Sequence, residues 1–560
     1  MFKDKMNPSP SEQEQYKFWV VNSIENLKQL EGIELIEKSQ EFFAIVYDQY
    51  AETEVKHTQN TKDEEADKEY SFLRNEIRPL LKEAEAEIAK KVLQKNNYPK
   101  QFIQYIRQAK ITNELFHPDI PNLQRQESEL ETRYTKKYSS LTINVDGKEY
   151  PISMSGKFLE SFKKDTRIQA WQSIKKAFLE NQDFFEETYL KLISIRKEIA
   201  RKAKCKDYVE YQFKNKLRDY TLEDCQDFHE AVKKYVTPII TEFQKERKQK
   251  LNLEKLYPYD ASFSITTEYE LFPFNKDDEE KLFLGIKKAI ERVSPGIAEH
   301  FQNMKDNKRL DLISRNNKAP GGYNMPFILK PYSFVFMNAA GTHQNLNTLA
   351  HEEGHAWHGN LAKKLNYPFE KEYSTEVAEV ASTFLEYASS SYLNYFYSEK
   401  ELAWSLIDQL KGELSLLAWI AIIDKFQHLV YAEEDLTKEK LRKIWLNVFR
   451  EFRGKEISWD EDKDLEMIRY AQQHHLFSHP LYYIEYAISL IAATQLWKIF
   501  ETNQEKALDQ YNKGLSLGNT LSTKEVYEQG FNLPLKFGEE QVKSTIDFLN
   551  KKLEKLNRKI

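Results

Sequence analysis

Glycine is scarce in this chain of 560 residues: only 16 occur, well below the roughly 7% of average usage. Proline is sparse too, at 17. These shortages argue against collagen-like, elastic and turn-rich all-β architectures. Cysteine is nearly absent, and Cys205 and Cys225 alone cannot build a disulfide framework; they fit a reducing compartment. No hydrophobic run is long. The longest, residues 414–423, is about half of the ~20 residues that span a bilayer. Neither sign of charge dominates, with 82 basic against 88 acidic residues and a net charge of −6, and no long basic run occurs. A general attraction for nucleic acid is therefore not expected. Neither a P-loop nor G-x-G-x-x-G is present, so a nucleotide site has no support. The opening Met1-Phe-Lys-Asp-Lys-Met-Asn-Pro, with Glu12 and Glu14 soon after, has no apolar h-region. The expectation is a cytoplasmic protein without a secretory signal or membrane anchor.

What is present is a globular composition, 41% hydrophobic and 30% charged. The length calls for two or more lobes. Abundant Lys, Glu, Leu and Tyr with little Gly or Pro predict a mainly α fold. Ser39-Gln-Glu-Phe-Phe-Ala-Ile-Val-Tyr47 and Ile77-Arg-Pro-Leu-Leu-Lys-Glu-Ala-Glu-Ala-Glu-Ile88 show helical apolar spacing. The period then changes. Leu141-Thr-Ile-Asn-Val and Tyr150-Pro-Ile flank Asp146-Gly147, which predicts a type I′ hairpin. A lobe boundary is placed there, giving residues 1–150 as an N-terminal helical lobe ending in the hairpin and 151–560 as the catalytic lobe. Ser333-Phe-Val-Phe-Met-Asn reads as a short buried strand stopped by Gly341.

Two concentrations stand out. Five of the 16 glycines fall between Gly321 and Gly359, and eight of the 12 histidines between His343 and His479. In that stretch lies Thr348-Leu-Ala-His351-Glu352-Glu353-Gly354-His355-Ala-Trp-His358, which contains His-Glu-x-x-His. Residues four apart share a helix face, so His351 and His355 can grip one ion from adjacent turns. Glu352 can then serve as a general base for a water. At this composition the pentad arises by chance in roughly a few chains per hundred. His358 lies about 10 Å along the axis from His351, too far to share the ion, and reads as a packing or supporting residue.

A catalytic zinc takes three protein ligands and keeps one open position. Glu376, Glu379, Thr383 and Glu386 recur at spacings of 3, 4 and 3 on an otherwise apolar helix, so their carboxylates offer the third ligand. Farther on, His474-His475-Leu-Phe-Ser-His479-Pro480-Leu-Tyr482-Tyr483-Ile-Glu-Tyr486 offers hydrogen-bond donors for an oxyanion. Pro480 suits a helix start, which puts Tyr483 and Tyr486 on one face.

With these motifs in order, the chain resembles the oligoendopeptidase F branch of the thimet-oligopeptidase family of zinc metallopeptidases. His351-Glu-Glu-Gly-His355-Ala-Trp-His358 matches the family's His-Glu-x-Gly-His-x-x-His. Glu376-Val-Ala-Glu379-Val-Ala-Ser382 matches the segment carrying the third ligand, with Glu379 at the ligand position. His475 to Tyr486 resembles the late His/Tyr segment, while Lys318-Ala-Pro-Gly-Gly-Tyr323 and Phe334-Val-Phe-Met-Asn-Ala-Ala-Gly341 resemble the loop and edge strand before the metal helix. In one respect the chain departs from the pattern. Some members carry a further tyrosine where this sequence has Leu476-Phe477-Ser478-His479-Pro480, so that role is either lost or covered by His479.

The resemblance implies a two-lobed helical shell around a deep substrate channel, with a small sheet beside the zinc. It implies one Zn²⁺ per chain on His351, His355 and Glu379, Glu352 as base, and Tyr486, His475 and Tyr483 around the oxyanion. The strand at residues 334–337 is expected to take the substrate backbone as an added strand, with Glu376 and Glu386 orienting the histidines. The expected partners are oligopeptide substrates. The alternatives are a zinc carboxypeptidase or dipeptidase on a similar helical fold, and a peptide-binding protein without activity.

Overall fold

Stretches rich in Lys, Glu, Leu and Ala become helices along nearly the whole chain, most of them burying apolar residues. The structure is a computed structural model that describes residues 8–267 and 269–560. Residues 1–7, which open the stretch read for a leader, lie outside these. Two helices widen into π-turns just ahead of a proline, at Leu73–Ile77 before Pro79 and at Val232–Val236 before Pro238. Proline lacks an N–H and its ring crowds the preceding turn, and the wider turn relieves both. No helix among the described residues is long and apolar enough to cross a membrane.

Two large buried cores mark the lobes, beside a small third cluster of Val55, Phe334 and Phe336. The smaller of the two large cores gathers Tyr16, Phe42, Leu73 and Phe102 and takes in Phe369. The larger extends from Leu115 to Leu556. The hairpin forms as expected: strand β1 (Thr142–Val145) pairs antiparallel with β2 (Lys148–Pro151), and Asp146 and Gly147 between them both have positive φ, as a type I′ turn requires. Its inward residues Ile143 and Val145 belong to the larger core. The architecture is thus the mainly α, two-lobed shell that was expected. A cavity of about 1740 Å³ opens within it, lined by His343, Glu386, Trp419, Arg469 and Gln472 among others.

The second sheet corrects one expectation. It comprises β3 (Leu310–Ile313), β4 (Tyr323–Met325) and β5 (Phe334–Ala339), in the order β3-β5-β4. Strand β5 runs parallel to β3 and antiparallel to β4. It is therefore central and almost wholly buried, with both edges already paired, and cannot accept an added strand. The edge strands are β3 and β4, and on β4 the Asn324 backbone N–H is directed at Glu352.

Candidate active site

The helix His343–Ala362 begins at Thr342, whose side chain and that of Asn345 form a reciprocal capping box. It carries His351 and His355 on one face, their ring centroids 4.9 Å apart and nearly perpendicular. The helix Thr375–Ser390 crosses it closely. The crossing is at Gly354, where a Cβ would lie 2.5 Å from Ser382 Cα and 2.6 Å from the Ala381 carbonyl oxygen. This approach brings Glu379 to the histidines. Its Oε2 is 3.4 Å from His351 Nε2 and 3.8 Å from His355 Nε2. One donor atom from each of the three residues lies within 4.8 Å of the others.

Each donor is oriented from behind. Glu386 Oε2 stands 3.4 Å from His351 Nδ1, and the His355 ring bonds the Ala378 carbonyl. Glu379 accepts from Tyr482 Oη at 3.1 Å and from Ser382 Oγ at 3.1 Å. Such partners fix ring tautomers and carboxylate direction in metal sites. Two imidazoles and one carboxylate are the donor chemistry of a catalytic zinc, and the residues present fit one. Burial works upward on Glu379, but the hydrogen bond from His351 and the nearby His355 hold it at about 2. Burial drives His355 down to about 4 and raises Glu352 to about 7. Glu352 shares the His351–Glu379 neighbourhood, whereas Glu353 turns away to His300, 2.8 Å from its Nδ1. Glu376 turns away as well: it accepts from Tyr220 at 3.0 Å and touches neither histidine. His358 is fully buried and stacks on Tyr373 at 3.6 Å, in keeping with a packing role.

The late segment differs from the phase read in the sequence. The helix after Pro480 starts at Ile484, with Leu481 in a left-handed turn and Tyr483 only at the cap. As a result Tyr482, which the sequence reading did not single out, is the tyrosine that meets Glu379. Tyr486 packs 5.1 Å from it, ring to ring, and Glu379 adds to the burial that raises the Tyr486 phenol. The Tyr483 hydroxyl oxygen instead lies beside the Gln473 and Trp419 donors. His475 is near all three tyrosines.

A short hydrogen-bond chain sets the proton on His475. Trp419 Nε1–H can only donate, and it does so to Gln473 Oε1 at 2.9 Å. The Gln473 amide nitrogen therefore faces His475 Nδ1, at 2.9 Å. That nitrogen must accept, which leaves the ring proton on Nε2. Burial lowers the His475 pKa to about 4, so the ring is a neutral Nε2–H donor near pH 7.

A protein-family model described as peptidase family M3 matches residues 157–533. The chain is 25% identical over 291 residues to the oligoendopeptidase F homolog of Borreliella burgdorferi, which covers 50% of this chain and 48% of that protein. It is 24% identical over 384 residues to oligopeptidase PepF of Bacillus subtilis, covering 67% of this chain and 55% of that one. The chain thus spans about half the length of these curated relatives. Among solved structures, PZ peptidase A with inhibitor 2 superposes with a TM-score of 0.87 at 24% identity, over 99% of each chain. That likeness concerns the fold.

Proposed function

The chain belongs to peptidase family M3, and we propose that it is a zinc-dependent endopeptidase that hydrolyses internal bonds of short, unstructured oligopeptides. The observation that carries this reading is the convergence of His351, His355 and Glu379 donor atoms within 4.8 Å, with Glu352 beside them. These three residues would hold one zinc per chain and leave one position open. A zinc ion bound there supplies a Lewis acid that polarises the scissile carbonyl and acidifies a water. Glu352 takes the proton of the attacking water on its carboxylate and later delivers it to the leaving amine. His475 Nε2–H and the Tyr486 hydroxyl donate to the developing oxyanion, and Tyr483 supports them through Gln473. A cavity of about 1740 Å³, which is lined by Glu386 behind His351 and not by the three donors themselves, suits an extended peptide and not a folded domain. Both cysteines are free and buried, which agrees with action in the cytoplasm.

One observation favours the carboxypeptidase reading in second place. Arg469 lines the same cavity, and among the described residues its only hydrogen-bond partner is Gln472, with no acidic partner. Such a cation could hold a terminal carboxylate.

The test is digestion of end-blocked peptides of roughly 5–20 residues, beside a stable folded protein, with chelator and after zinc return. Internal cleavage that is lost on chelation and restored by zinc is expected. Glu352→Gln should keep its zinc while turnover falls about 10²–10⁴-fold. Full activity in metal-free protein, or rapid digestion of the folded protein, refutes the reading. Strict dependence on a free C-terminus selects the carboxypeptidase instead.

A further inference from the structure

Away from the catalytic centre, two helices face each other with matched pairs of metal-binding side chains. The helix Leu222–Ala231 carries Cys225 and His229, four residues apart and so on one face. The helix Glu399–Ala432 carries Asp424 and His428 at the same spacing. All four are withdrawn from solvent: Cys225 and Asp424 are 0% exposed and His229 is 3% exposed, and the His428 side chain retains 11%. One donor atom each from Cys225, Asp424 and His428 lies within 4.8 Å of the other two. His229 Nε2 is 2.9 Å from Asp424 Oδ2, and His428 Nε2 is 3.5 Å from the same oxygen.

The hydrogen bonding within this cluster is incomplete. Asp424 Oδ1 and His428 Nε2 are buried and without a hydrogen-bond partner among the described residues. A buried carboxylate oxygen and a buried imidazole nitrogen left in this way are costly. One divalent cation relieves both. The Arg218 guanidinium also favours the Asp424 carboxylate, but its hydrogen bonds among the described residues go to Glu485 at 2.7 Å and to the Leu481 carbonyl, none to Asp424.

We propose that Cys225, Asp424 and His428 form a second metal site away from the catalytic centre, selective for zinc, with a water as the fourth donor and His229 orienting Asp424. A thiolate with imidazole favours zinc over the harder magnesium and calcium. On binding, the Cys225 thiol loses its proton to solvent, and thiolate plus carboxylate balance the dipositive ion. The site pins the helix Glu399–Ala432 to its neighbour. That helix also bears Gln427, whose side-chain oxygen accepts from the Leu481 N–H beside Tyr482 at 2.8 Å. The site is therefore a brace for the tyrosine loop and has no part in peptide hydrolysis.

The experiment is elemental analysis of the purified full chain, followed by cobalt replacement. Two metal ions per chain are expected in the wild type and one in each of Cys225→Ser and His355→Ala. Cobalt-loaded wild type should show thiolate-to-cobalt charge-transfer absorption, which the His351/His355/Glu379 site cannot produce because it has no sulfur ligand. Should Cys225→Ser fail to fold, His355→Ala decides alone: it should keep one ion and the charge-transfer band. One ion in the wild type and none in His355→Ala, with no such band, overturns the proposal and leaves the peptidase reading intact. Loss of peptidase activity with both ions present has the opposite meaning.

Discussion

Gly354→Ala should damage the metal centre without touching any ligand. A methyl at this position would sit 2.5 Å from Ser382 Cα, 2.6 Å from Ala381 O and 2.9 Å from Ala381 C, all backbone atoms of the facing helix. Carbon atoms rest at about 3.5–4.0 Å, so the two helices must part by about 1 Å. No side-chain rotation can absorb that. Glu379 lies one turn before Ser382 on the helix that moves, and ligand distances in a metal site tolerate only about ±0.2 Å. The carboxylate can then no longer share an ion with both histidines. Zinc affinity should fall by more than the 10–100-fold usual for disturbing a residue behind the ligands. The overpacking itself costs about 1–3 kcal/mol.

Gly359→Ala provides the control, since it lies on the same helix with nothing within 4 Å of the added carbon. Both changes gain the same helix preference of alanine over glycine, about 1 kcal/mol. That gain cancels in the comparison, and the difference between the two variants isolates the helix contact. The assay is zinc competition against a chelator, with apparent melting temperature measured in parallel. Gly359→Ala should bind zinc like the wild type and melt slightly higher, while Gly354→Ala binds weakly and melts lower. If the two variants hold zinc equally tightly, the helix crossing does not set the ligand geometry and the reasoning fails.

Gln473→Glu replaces the amide donor with an acceptor and should move the His475 proton to Nδ1; kcat should then fall about 10²–10³-fold with little change in KM, and steady-state kinetics equal to wild type would show that His475 does not donate. Asp311 is a test of acid stability. Burial works upward on its carboxyl, but hydrogen bonds from Arg315, Lys318 and Gln59 hold it at about 2. A folded value below the ordinary one of about 3.9 means that its stabilisation is present above pH ~4 and is lost as pH falls through about 2. The carboxylate alone is worth about 2–3 kcal/mol, reduced because burial also pulls the Lys318 ammonium down. Asp311→Asn should therefore be less stable at pH 6, with the gap from wild type closing toward pH 2 in urea titrations; a gap that does not change with pH refutes the assignment. Arg469→Gln should raise KM for peptides with a free C-terminus about tenfold, the loss of roughly one charge-assisted bond, and leave amidated peptides unchanged; equal effects on both would remove Arg469 from carboxylate binding.

How much was legible in the sequence depended on how local each signal is. The His351/His355 face and Glu352 follow from helical spacing over five residues, and the structure gathers these groups with Glu379. The hairpin was legible because Asp146 and Gly147 are a sufficient cause of their own turn. The place of β5 in its sheet was not. Its partners β3 and β4 are four and three residues long, without a usable period, and they pair through tertiary contacts. Tyr482 was passed over because Pro480 suggested an immediate helix, whereas Leu481 adopts φ +59° and shifts the helical phase. Glu376 shares a stripe with Glu379, yet that stripe is wide enough for its first member to face Tyr220. The Trp419–Gln473–His475 chain joins residues 54 positions apart and leaves no local trace.

The two halves of the site are held by different means, and this separates their expected sensitivities. The ligands stand on long helices locked by backbone contact. Gly354 sets one crossing, and the hydroxyls of Tyr511 and Tyr527 donate to the carbonyls of Ala381 and Glu376 on the Glu379 helix. Of the proposed oxyanion donors, His475 stands on a short helix, His474–Ser478, of little internal cohesion, and Tyr486 follows the left-handed turn at Leu481 on the first turn of the helix Ile484–Phe500. Their position is imposed by buried arginines. Arg196 donates to the carbonyls of Leu476 and Phe477, and Arg218 to that of Leu481 while paired with Glu485. Substitutions at the helix crossing should therefore appear first in zinc affinity, and those at Arg196, Arg218 or Gln427 first in kcat with zinc retained. Long helices in backbone contact carry the proposed metal ligands, and arginine-tethered segments position His475 and the turn ahead of Tyr486.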